Sequence, residues 1–69
     1  MKKTVYVEGM MCMHCVAHVK KALESVDGVA SAEVSLENKN ALVTLEKDVE
    51  NTALTAAIVD AGYEVKDIQ

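Results

Sequence analysis

A chain of 69 residues makes one small domain, and residues 1–69 are expected to be a single unit. It is 51% apolar yet has two tyrosines and no Phe or Trp, so its core has to be Val, Leu, Ile, Ala and Met. A net charge of −4 argues against nucleic acid, which selects a basic stripe; no apolar run approaches transmembrane length, so membrane insertion is not expected. Lys2 and Lys3 lead into no apolar signal-peptide region, and the expected compartment is therefore the cytosol, where thiols stay reduced.

In chain order, Thr4-Val5-Tyr6-Val7-Glu8 alternates and is β-branched, which predicts a strand with Val5 and Val7 on one face. Gly9 ends it. A helix is expected from Cys15 or a near neighbour, with Val16, Val19, Leu23 and Val26 as its apolar stripe and Ala22 beside them. Ala17, Lys21 and Glu24 fall on the opposite face, and Gly28 after Asp27 is the stop signal. Ala30, Ala32, Val34 and Leu36 then alternate with Ser31, Glu33 and Ser35 as a second strand. Asn38-Lys39-Asn40 is a polar turn, and Asn tolerates a positive φ. Ala41, Val43 and Leu45 alternate with Leu42, Thr44 and Glu46, completing a hairpin with one wetted face. Lys47 to Glu50 is a charged connection, and Asn51 suits an N-cap. Leu54, Ala57, Ile58 and Ala61 form the stripe of a second helix, Gly62 stops it, and Tyr63 to Ile68 is the last strand. The order β-α-β-β-α-β predicts an α+β, ferredoxin-like sandwich: two right-handed crossovers sharing one four-stranded antiparallel sheet, with both helices on one face.

The chemistry lies in Gly9-Met10-Met11-Cys12-Met13-His14-Cys15, which holds both cysteines. At this spacing, a loop entering a helix points two sulfurs at one small volume. Soft thiolates select Cu(I), zinc or iron–sulfur clusters. The free amides of a helix N-terminus lower a thiol's pKa. A disulfide three positions apart would staple almost nothing. The same Cys-x-x-Cys spacing occurs in dithiol redox proteins, which stay open as the alternative of another class. Thioredoxin-like enzymes usually have a longer chain and a cis-proline near the site; this chain has no proline, and catalysis is not expected.

Strand, Gly-Met-x-Cys-x-x-Cys, then helix resembles the heavy-metal-associated (HMA) domain over essentially the whole chain. Within that family the sequence is most similar to the small bacterial copper chaperones of the CopZ type. Gly9-Met10, Cys12, His14 and Cys15 match their motif, as do Asp27-Gly28-Val29 and Ala61-Gly62-Tyr63. Met11 departs from it, standing where the family usually has a small hydroxyl residue.

The resemblance implies a cytosolic carrier without enzyme activity. Cys12 and Cys15 would hold one Cu(I) in a shallow, near-linear site open to a third thiolate from a partner. That partner would be the metal-binding domain of a copper-transporting P-type ATPase, or a copper-responsive repressor. The chain would be a monomer when apo, with a copper-bridged homodimer as a further state. Met10 would pack under the loop, and Tyr63 would shield the site and donate toward a thiolate. His14 is expected to face solvent and tune the thiolates, with a third-ligand role as its alternative; His18 is expected to be a solvated surface residue. Met11 and Met13 are expected to meet a partner's apolar surface rather than copper. Lys20 and Lys21 are expected to form a solvated face that steers an acidic partner weakly at most. The alternatives within the family are the N-terminal metal-binding domain of a copper ATPase and a mercuric-ion binding protein. The initial Met favours a free chaperone, and the missing signal peptide disfavours a mercuric-ion carrier.

Overall fold

Alternating strands and striped helices produce the six expected elements in a computed structural model that describes residues 1–69. They are β1 (Lys2–Glu8), α1 (Met13–Glu24), β2 (Val29–Ser35), β3 (Asn40–Leu45), α2 (Asn51–Asp60) and β4 (Glu64–Ile68). The strands form one sheet in the order β2-β3-β1-β4, every neighbouring pair antiparallel. Each strand–helix–strand unit therefore straddles a strand of the other half. Val5 and Val7 of β1, Ala41, Val43 and Leu45 of β3 and Ala32 of β2 turn to one face. Val19 and Leu23 of α1 and Leu54 and Ile58 of α2 cover that face, all four fully buried. No polar side chain is buried. Each large aliphatic side chain so removed from water contributes about 1.5–3 kcal/mol.

The structure corrects several boundaries. α1 begins at Met13, a near neighbour of Cys15, with Cys12 as its N-cap, but ends at Glu24 rather than at the Gly28 stop. The Ser25 hydroxyl donates to the Ala22 carbonyl (2.7 Å), and Val26 packs on the core from beyond the helix end. A bulge between Val29 and Ser31 leaves Ala30 unpaired and exposed, so Val29, opposite Leu45, takes the inward place expected for Ala30. In the β2–β3 turn the positive φ falls on Lys39 (56°), not on either Asn. Its carbonyl accepts the Val7 N–H at 3.0 Å. The N-cap of α2 is Glu50. The Asn51 side chain instead accepts from Lys3 Nζ at 2.6 Å, and the same ammonium donates to the Val49 carbonyl at 2.8 Å. The charged connection also hides a core residue, Val49. Tyr63 precedes β4 rather than belonging to it. A second bulge, between Tyr6 and Val7 of β1 and their β4 partners, lets Val65 and Ile68 both reach the core although they lie three positions apart.

Candidate metal centre

The site is built where β1 runs into α1 and α2 runs into β4. Met10 is 7% exposed and joins the core, which anchors the loop from beneath as expected. Cys12 is extended at the N-cap (φ −159°), and its carbonyl accepts the N–H groups of Cys15 (3.1 Å) and Val16 (3.2 Å). That first turn carries Cys15 back over Cys12. Their sulfurs lie 3.7 Å apart, Cys12 exposed and Cys15 half-buried, both as free thiols.

The other wall comes from the end of α2. The Gly62 N–H donates to the Val59 carbonyl (3.0 Å) and the Tyr63 N–H to the Ile58 carbonyl (3.1 Å). This pair of bonds is a Schellman termination, which needs a residue of positive φ at its turning point; Gly62 takes 97° there. The turn lays the Tyr63 ring over Gly9, where a β-carbon would sit 3.5 Å from Cδ1. It also brings the hydroxyl close enough to Cys15 to act on its thiol.

These donors act on the thiol. The backbone N–H of Met11, first, and the Tyr63 hydroxyl, second, stabilise the Cys15 thiolate, with smaller help from Cys12. Together they outweigh burial and lower the pKa from 9.0 to about 7. Tyr63 responds in the opposite sense: donating to Cys15, with added desolvation and the nearby thiolate charge, raises its own pKa. Sequence reasoning missed the Met11 amide, because a backbone donor has no residue-type signature.

No third His, Cys, Asp or Glu joins the two sulfurs in a ligand cluster. His14 is exposed, as are Met11 (87%) and Met13 (69%). Lys20 is not simply solvated: it bonds Glu24 (3.0 Å) and the Ala32 carbonyl (2.9 Å), and its ammonium holds the Glu24 carboxyl below its usual range. An open hollow of about 700 Å³ lies beside the site between Met10, Met11, Lys39 and Tyr63, but neither cysteine lines it. The sulfur pair is the reactive feature.

The sulfur separation bears on geometry. With metal–sulfur bonds of about 2.3 Å, a linear pair would stand about 4.6 Å apart. At 3.7 Å the resting thiols suit a bent arrangement, with room on the solvent side for a further ligand. A linear arrangement would need the two sulfurs to move apart.

Residues 4–64 match the heavy-metal-associated domain family. The copper chaperone CopZ of Staphylococcus saprophyticus is 46% identical over 65 residues, covering 93% of this chain and 96% of the relative. A mercuric reductase of Shewanella putrefaciens is 46% identical over 61 residues, covering 88% of this chain. The copper-transporting ATPase 1 of Rhizobium meliloti is 45% identical over 60 residues, covering 87%. The chain spans 11% of that reductase and 7% of that ATPase. Among solved structures, a CopZ metallochaperone superposes with a TM-score of 0.88 at 40% identity, covering 96% of this chain and all of the other.

Proposed function

Because this chain belongs to the heavy-metal-associated domain family, we propose that it carries a single Cu(I) on Cys12 and Cys15 and passes it to a partner by thiolate exchange. One observation carries the reading: two sulfurs 3.7 Å apart at a helix start, with no third protein ligand beside them. Cu(I) is soft and is satisfied by few thiolates, whereas structural zinc takes four ligands. The lowered Cys15 pKa supplies thiolate near neutral pH without help from a metal.

Transfer follows from the uneven exposure of the pair. A partner thiolate approaches on the open Cys12 side and binds the ion as a third ligand. Cys12 then leaves and takes up a proton, while Cys15, the half-buried member, lets go last. Met11 and Met13 flank this approach with exposed apolar surface for the partner. The acceptor we infer is the metal-binding domain of a copper-transporting ATPase, a fold the 45% match to such a transporter supports, or a copper-responsive repressor. Residues 1–69 act as one carrier domain in the cytosol, monomeric when apo. No helix is long and apolar enough to cross a membrane.

A second reading has an observation in its favour: the mercuric reductase matches as well as the chaperone, and Hg(II) is equally soft. The test is an oxygen-free titration with Cu(I) and with Hg(II) against a competing chelator, followed by incubation with an ATPase metal-binding domain. One Cu(I) per chain that moves to the acceptor supports the copper carrier. Tight Hg(II) binding with no copper transfer would replace it.

A further inference from the structure

His14 serves the sequence twice. It lies inside the Cys-x-x-Cys motif, and it also opens the run His14-Cys15-Val16-Ala17-His18. α1 is continuous from Met13 to Glu24, so these histidines stand one turn apart on one face, with β-carbons about 5–6 Å apart. Both are exposed, while the buried positions of α1 are Val19 and Leu23. No ion pair of the fold uses either ring. His18 also borders an open hollow of about 340 Å³ with Lys21, Ala22, Ser25 and Ala61, which leaves room beside the ring.

We propose that His14 and His18 form a second metal site, separate from the thiol pair, for borderline divalent ions of the Zn(II) class. Two imidazoles at i and i+4 on a helix face are a recurring zinc-ligand spacing. Imidazole suits zinc, copper and nickel, whereas paired thiolates favour soft ions, so the two sites divide metals by hardness along one helix. No third His, Cys, Asp or Glu stands with them, and water completes the coordination shell. The site therefore binds modestly and exchanges quickly. Lys21, one turn beyond His18, opposes a dication, so Lys21→Gln strengthens binding. The inference does not depend on copper occupying the thiols.

The test uses the Cys12→Ser/Cys15→Ser chain and the wild-type chain, both reduced and under argon. Zn(II) is added while the ring protons of both histidines are followed by NMR. In the serine chain both rings shift together on one saturable curve, with one zinc per chain at every protein concentration. His18→Ala then weakens binding by about tenfold or more. Wild-type chain loaded with Cu(I) shows the same ring shifts and keeps its copper. Rings that stay still, or an unchanged affinity in His18→Ala, overturn the site. Release of Cu(I) by zinc overturns its separateness. A wild-type chain that refuses Cu(I) would sink the carrier reading while leaving the serine arm decisive for the histidines.

Discussion

The Met11 amide and the Tyr63 hydroxyl both act on one sulfur, that of Cys15, and the consequences can be measured. Its pKa in the folded chain, about 7, lies below the ordinary thiol value of 9.0, so the folded state binds fewer protons in that interval. The stabilisation is fully present above pH 9 and is lost as the pH falls through about 7. Urea melts of the reduced apo protein should therefore show stability rising from pH 7 to 9, with the rise diminished in Cys15→Ser; a flat profile would remove the thiolate from the account. Tyr63→Phe deletes the second donor. It should keep one-to-one copper loading, move Cys15 alkylation to higher pH and speed copper loss to a chelator; if alkylation and loss rates are unchanged, the ring only packs over Gly9. Cys12→Ser/Cys15→Ser should retain its far-ultraviolet circular dichroism while losing Cu(I), since Cys12 is exposed and Cys15 only half-buried at the edge of the core. The two cysteines stood out by their spacing, and the places of Met10 and Tyr63 followed from the resemblance to the family motif. The Met11 amide was not legible: any residue but proline at position 11 supplies the same N–H.

Helix stripes and strand alternation located every element, because the burial of Val5, Val7, Leu23 and Ile58 repeats with the period of the backbone. What escaped was aperiodic. Bulges at Val29–Ser31 and Tyr6–Val7 each change the parity of a strand, so Ala30 turned out and Ile68 turned in against simple alternation. Val49 was hidden by its charged neighbours, yet it is buried, and its Cγ2 would lie 2.6 Å from a β-carbon placed on Gly28. Gly28 also sits at φ +99°, so Gly28→Ala meets both backbone strain and a clash. A loss of about 2 kcal/mol or more is expected in denaturant melts. An effect below half of that would mean the Val49 connection yields freely. Lys3 ties β1 to the start of α2 through Val49 and Asn51. Lys3→Met should cost about 1 kcal/mol, with copper loading untouched, since the contact lies outside the site.

At the scale of the molecule, the interleaved sheet order brings residues 9–15 and 62–63 to one end, although some fifty positions separate them. Local pattern could list the elements, but it was the family resemblance that implied the Gly62 turn would face the cysteine loop. The result is an apolar body with a half-open sulfur pair at one end and no protein ligand to complete a tetrahedron. That incompleteness is the central claim, since it favours Cu(I) and leaves a place for a partner's thiolate. The most direct measurement is a competition titration of the reduced chain with Cu(I) and Zn(II), oxygen excluded, in wild type and His14→Ala. The account predicts one Cu(I) per chain held on the thiols against excess zinc, with the stoichiometry unchanged in His14→Ala. Zinc displacing copper from the sulfurs as a monomeric complex, or loss of copper loading in His14→Ala, would contradict it.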